Sequence, residues 1–285
     1  MTDAWTDFVL SRQAMQCTPA TLAFYKFTVG VFLKWLEQSG VTSPDEIAAR
    51  HVREYLAKLA GEGKSDTTIH DNARAIKTLT RFFNAEGYTA APVNFDMPRV
   101  AKKRLPVLSA EELNRVIAAC KNPRDKALTM FLADSGLRRA EVCALNWNDL
   151  DFSTGLVLVR SGKGRKARSA VIGSNTRRAL LKYRRTLKDT TDQAPVFQAR
   201  GGTRLTGEGV LLLFRRLAAI TGIPVGPHAL RRTFTILSLR GGMDSLYLQA
   251  LGGWADLTMV AHYAQMVDDD LLKAHKTASP IDNLP

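Results

Sequence analysis

Residues 134–142 read DSGLRRAEV, and residues 226–234 read GPHALRRTF. The first is a glycine turn running into a helix. Arg138 and Glu141 are three apart, so on a helix they share a face and the carboxylate can hold the guanidinium in one orientation. In the second, Pro227 sets a helix start, with His228 and Arg231 at i and i+3. That spacing aims a proton-transfer group, a cationic fork and the helix-end amides at one anion. Between the two lies SGKGRKAR (161–168), the turn of a hairpin whose strands read LVLVR (156–160) and ARSAVI (167–172). Its glycines permit a tight tip and bring the backbone close to another molecule, with Lys163 between them. Farther on, LQALGGW (248–254) is followed nine residues later by Tyr263 in AHYA (261–264). Singly, each segment has a plain reading: a surface ion pair, an exposed tip lysine, a capping histidine, a core tyrosine.

Outward from these segments the chain reads as helical. Thr18-Pro19 caps a helix carrying Leu22, Tyr25, Val29, Phe32 and Leu36 at helical spacing up to Gly40. A second stretch follows Ser43-Pro44 and runs, with a break, to about Leu59. A third spans roughly Ser65 to Glu86, with Ile69, Ala73, Ile76, Leu79 and Phe83 on one face and Gly87 as its stop. From Tyr88 to Pro106 the pattern lapses into three prolines and the basic run Lys102-Lys103-Arg104, a linker composition. The expected domains are therefore a helical one at 1–98, a basic linker at 99–105, and a second domain at 106–285 with a tail at 264–285. In the second domain Ser109 and Glu112 form a capping box, and helices are expected at 176–187, 207–220 and 227–239 around the hairpin. The fold class is mainly α with a small β-sheet.

The net charge of +13 points to a polyanionic partner. Residues 1–100 hold 11 Lys and Arg against 11 Asp and Glu, so the whole excess lies in residues 101–285. The three cysteines, Cys17, Cys120 and Cys143, are odd in number and far apart. They fit neither a disulfide framework nor a zinc site and are expected to be reduced core thiols. No apolar run is long enough to span a bilayer, and MTDAWTDFVL lacks the layout of a signal peptide, so a cytoplasmic protein without membrane contact is expected.

Taken in order and spacing, SGLRRAEV, SGKGRKAR, GPHALRRTF and LQALGGW…HY resemble the tyrosine recombinase, or phage integrase, family. The resemblance covers the second domain almost end to end, and the helical N-terminal region is similar to the family's core-DNA-binding domain. It implies a C-shaped clamp around double-stranded DNA, and strand cleavage and rejoining through a covalent 3′-phosphotyrosine with no metal or cofactor. The nucleophile would be Tyr263, the phosphate clamp Arg138 and Arg231, and the acid for the leaving 5′-oxygen Lys163, with Lys166 as a competing candidate. His228 would assist proton transfer at the tyrosine, Trp254 would pack near the phosphate, and Glu141 would orient the arginine helix. Most relatives carry histidine where Trp254 stands, and many carry histidine at Arg232. Expected DNA contacts are Lys102, Lys103, Arg104, Arg165, Lys166 and Arg232. Four protomers, monomeric in solution, would assemble on two DNA sites, their tails docking on neighbours. The alternatives are a catalytically silent DNA-binding accessory protein of the same fold, and a topoisomerase of related chemistry.

Overall fold

The computed structural model describes residues 1–101, 106–160, 167–258, 260, 272, 275–276, 279 and 281–282. The chain divides into two compact units, Met1–Lys103 and Arg104–Pro285.

The first unit is built from α1 (Thr2–Ala14), α2 (Pro19–Gln38), α3 (Ala49–Gly61) and α4 (Asp66–Ala85), with a 3₁₀ turn at Pro44–Glu46. Local chemistry sets the ends. Thr18 and Ser65 accept from the backbone N–H of Thr21 and Thr68, filling donors a helix start would otherwise leave orphaned. The inward stripes are Val29, Phe32 and Leu36 on α2 and Ile76, Leu79 and Phe83 on α4, all fully buried. Each such side chain contributes roughly 1.5–3 kcal/mol relative to exposure. Helix α1 has no sequence stripe to announce it, because Ala4 and Phe8 alone are buried. Phe8 meets Phe82 edge-to-face, with ring centroids 5.5 Å apart.

The second unit comprises α5 (Ala110–Ala118), α6 (Pro123–Ser135), α7 (Arg139–Ala144), strands β1 (Leu156–Val159) and β2 (Arg168–Val171), then α8 (Ser174–Arg184), α9 (Gly207–Thr221), α10 (Pro227–Arg240) and α11 (Ser245–Gly252). Helix α6 is central, packing on α8 and α10, with Leu128, Phe131 and Leu132 fully buried. The strands pair antiparallel, Leu156 with Val171 and Val159 with Arg168. Their alternation sends Val157, Val159 and Ala170 inward. Ser109 and Glu112 form the expected capping box, and the Leu108 N–H donates to Thr233 Oγ1 at 2.9 Å, strapping the start of the unit to α10.

The thiols are free, as expected, but half-buried, not in the core. Burial raises the pKa of both Cys120 and Cys143 above the ordinary thiol value. Among the described residues no helix is long and apolar enough to cross a membrane.

Candidate active site

Three segments of the second unit meet around one buried carboxylate. Helix α6 ends at Gly136, whose φ of +60° turns the chain so that Arg138 precedes α7 with extended backbone at ψ 150°. The sequence suggested that Arg138 and Glu141 share a helix face. Arg138 is instead the residue before the helix, and Glu141, one turn in, reaches back to it. The Arg138 N–H donates to Glu141 Oε2 at 2.8 Å, and Arg138 Nη1 donates to Oε1 at 3.0 Å. The carboxylate thereby caps a helix start and orients a guanidinium together.

A second arginine fills the carboxylate's other lone pairs. Arg168, the first residue of β2, donates Nη1 to Oε1 at 2.9 Å and Nη2 to Oε2 at 2.8 Å, a two-pronged pair. Burial alone would raise the pKa of Glu141. The Arg168 hydrogen bonds, the Arg138 amide and the two guanidinium charges outweigh it and hold the group below the ordinary carboxylate value.

The third segment is the end of α11. A helix C-terminus leaves carbonyls without intrahelical partners and carries the negative end of the helix dipole. Here those carbonyls face arginines. Arg231 Nη2 donates to Gly252 O at 2.7 Å and Arg138 Nη2 to Gly253 O at 3.2 Å. Arg168 approaches Leu251 O and Gly252 O at 3.5 Å each. Arg231 Nη1 also donates to Gly136 O, joining α10 to the turn before Arg138. Gly253 has φ +63°, and a Cβ on it would lie 2.4 Å from Arg168 Nε, so only glycine lets the turn and the arginine approach.

Arg231 is buried at 3% exposure and Trp254 at 6%. The guanidinium carbon of Arg231 lies 4.5 Å from the centre of the Trp254 ring, a cation–π contact. Beneath them Phe234, Leu248, Trp254 and Val260 form a separate small apolar cluster. His228 is exposed near the start of α10. Partial desolvation of its ring, and then the charges of Arg232, Arg231, Arg139 and Arg138, lower its pKa below 6.5. The neutral imidazole, a proton acceptor, is thereby favoured near pH 7. Arg232 donates Nε to Pro106 O at 3.0 Å.

The structure thus brings together Arg138, Glu141, Arg231 and Trp254, with His228 in the same electrostatic field. Lys163, Tyr263, Lys102, Lys103, Arg104, Arg165 and Lys166 lie outside the described residues. Arg168, which closes the segment SGKGRKAR, is a site residue that the motifs did not single out. Its signal was nonetheless there: in an alternating strand it falls on the same face as Ala170 and Ile172, and an inward arginine demands an acidic partner.

Three guanidiniums thus stand against one carboxylate, beside a helix end and an indole, a cluster with net positive charge. The phage integrase family model matches residues 106–269, and that of the phage integrase N-terminal SAM-like domain matches residues 6–87. The chain belongs to the phage integrase family, the site-specific tyrosine recombinases. It is 30% identical over 270 residues to tyrosine recombinase XerA of Thermococcus onnurineus, covering 94% of this chain and 92% of that protein. Over 283 residues it is 30% identical to tyrosine recombinase XerC of Xanthomonas axonopodis pv. citri, covering 93% and 92%. Among solved structures, a lambda integrase dimer bound to a core site matches with TM-score 0.77 at 17% identity, covering 94% of this chain and 98% of that one. The Tn1549 transposon integrase in complex with a circular intermediate DNA matches with TM-score 0.77 at 19% identity, covering 97% and 98%. The family and the mainly helical fold with one small sheet, both expected from the motifs, are those found.

Proposed function

We propose that the chain cleaves and rejoins double-stranded DNA through a covalent 3′-phosphotyrosyl intermediate on Tyr263. The tyrosine oxygen attacks the scissile phosphorus, the phosphorus–5′-oxygen bond breaks, and the departing oxygen takes a proton from Lys163. Attack by a free 5′-hydroxyl on the phosphotyrosine reverses the step, so the phosphodiester energy is kept in the covalent bond. Arg138 and Arg231 bind the non-bridging oxygens and stabilise the charge of the pentacoordinate transition state. Neutral His228 assists removal of the tyrosine proton, Trp254 braces Arg231 beside the phosphate, and Glu141 orients Arg138. The observation that carries this reading is the convergence of Arg138 and Arg231 on the carbonyls of a single turn, Gly252–Gly253.

The DNA backbone is held by Lys102, Lys103, Arg104, Arg165, Lys166 and Arg232, in keeping with the charge excess after residue 100. Monomeric in solution, four protomers assemble on two DNA sites, and the tail at 264–285 docks on a neighbour. Two features of the second unit support this last step. A groove of about 430 Å³ is lined by Leu113, Ile117, Met130, Phe234, Leu237 and Leu251, and Leu272 and Ile281 of the tail are exposed.

The test is covalent trapping. Incubated with a pool of nicked duplexes of randomised sequence, the protein forms an adduct that survives denaturation, and the bound sequence is recovered and read. The adduct vanishes in Tyr263→Phe. If no adduct forms on any duplex that the protein binds specifically, the reading fails and a catalytically silent binding protein takes its place.

A further inference from the structure

We propose that Arg168 is a positioning residue that neutralises Glu141, leaving the charge of Arg138 for the scissile phosphate. The role deepens the recombinase reading and rests on it.

The division of the carboxylate between the two arginines is unequal. Arg168 takes both oxygens with both Nη atoms, at 2.9 and 2.8 Å. Arg138 gives one guanidinium bond, at 3.0 Å, its second contact to Glu141 being a backbone N–H. The Arg168 side chain is 14% exposed against 30% for Arg138, so the committed fork is the less exposed of the two. Nη2 and Nε of Arg168 also lie near the α11 carbonyls, which fixes the arginine from its other side. A buried carboxylate beside a single guanidinium draws it into a two-pronged pair and cancels its charge. With Arg168 present, Glu141 orients Arg138 through one bond without consuming it. Counting Arg138, Arg168, Arg231 and Glu141, the site keeps two net positive charges to set against a phosphodiester in its pentacoordinate state.

A purely structural brace and a counter-ion give different results in a charge-balanced pair of variants. Arg168→Gln alone lowers the net charge by one, and Arg168→Gln with Glu141→Gln restores it. Arg168→Lys keeps the charge but loses the fork. The experiment measures single-turnover cleavage at saturating nicked duplex carrying the recovered site, with duplex affinity and thermal unfolding recorded for every variant. Arg168→Gln should cleave about 10–100-fold more slowly with affinity nearly unchanged, the range typical of groups that orient a reacting one. Arg168→Lys should recover most of that loss. The double variant should cleave about tenfold faster than Arg168→Gln, because the unscreened carboxylate is gone.

A double variant no faster than Arg168→Gln, or Arg168→Lys as slow as Arg168→Gln, overturns the counter-ion role. Should Arg168→Gln fail to fold, cleavage by the double variant decides: within about tenfold of wild type supports the role, and any greater loss overturns it. Absence of any wild-type adduct overturns the recombinase reading itself and this role with it. An adduct in wild type with the wrong order among the variants overturns only the assignment of Arg168.

Discussion

Replacing Gly252 by alanine tests how closely the site is packed. The added Cβ would stand 2.1 Å from Trp254 Cζ3, and 2.3 and 2.5 Å from two further atoms of the same ring. To reach ordinary contact at 3.4 Å the indole has to retreat by at least about 1.3 Å. It cannot do so freely, because it is 6% exposed and carries the Arg231 guanidinium against its ring, 4.5 Å from the centre. Backbone strain adds nothing, since Gly252 lies within α11 and its φ is not positive. Overpacking of this kind costs about 1–3 kcal/mol. Loss of the cation–π contact adds about 0.5–2 kcal/mol. Denaturant unfolding should therefore place Gly252→Ala about 2–4 kcal/mol below wild type. Where both remain folded, single-turnover cleavage should fall about 100-fold, because Arg231 loses its brace. The decisive control is the same substitution in a Trp254→Ala background, where the ring is gone and alanine at 252 should cost well under about 1 kcal/mol. An equal penalty in both backgrounds refutes the reasoning, as does a Gly252→Ala variant with wild-type stability and rate.

Other predictions concern charge. The low pKa of His228 places the acid limb of the cleavage-rate profile below pH 6.5. Arg232→Ala removes the largest of the charges that lower it, so the limb should move to higher pH, with the rate at about pH 6 falling more than at about pH 8. The folded-state pKa of Glu141 lies below its ordinary 4.5, so its stabilising share is complete above that value and lost as pH falls through the lowered one. The stability difference between wild type and Glu141→Gln, followed by urea unfolding, should shrink as acid is added. Asp125 is fully buried and pairs with the partly exposed Arg124 and Arg216, so Asp125→Ala should cost about 1–3 kcal/mol in thermal unfolding, chiefly by leaving Asn122 Nδ2 without its acceptor. Neutralising Lys102, Lys103 and Arg104 together should weaken duplex binding and reduce the slope of log K against log salt by up to about 3.

Much of the architecture was legible because helix periodicity and end chemistry are local. Thr18, Ser65 and Ser109 announce starts by the donors they satisfy, and the α2 and α4 stripes follow from burial on one face. Helix α1 was not legible, because two buried residues in 13 set no period and the helix is held by Phe8 packing against rings distant in sequence. The motifs told which residues matter in the site but not how they meet. The Arg138–Glu141 spacing suggested a helix face, whereas a non-helical Arg138 meets a carboxylate that caps the helix behind it. Arg168 lies in the segment SGKGRKAR with no local sign of its role, since its partner Glu141 is 27 residues away on another element. Packing across that separation is a tertiary fact that no short window of sequence carries.

The turn at Gly252–Gly253 acts as a keystone. Arginines from before α7, from β2 and from α10 all lean on carbonyls of residues 251–253, though no two come from one element. A shift of that turn would change the contacts of all three arginines at once. Substitutions at Arg138, Arg168 and Arg231 should then be strongly non-additive, since the first to loosen the keystone leaves the others little to lose. The chain reaches Tyr263 only nine residues beyond Trp254. In the proposed mechanism the nucleophile is thus tied, by that short stretch of chain, to the turn on which the phosphate-binding arginines lean.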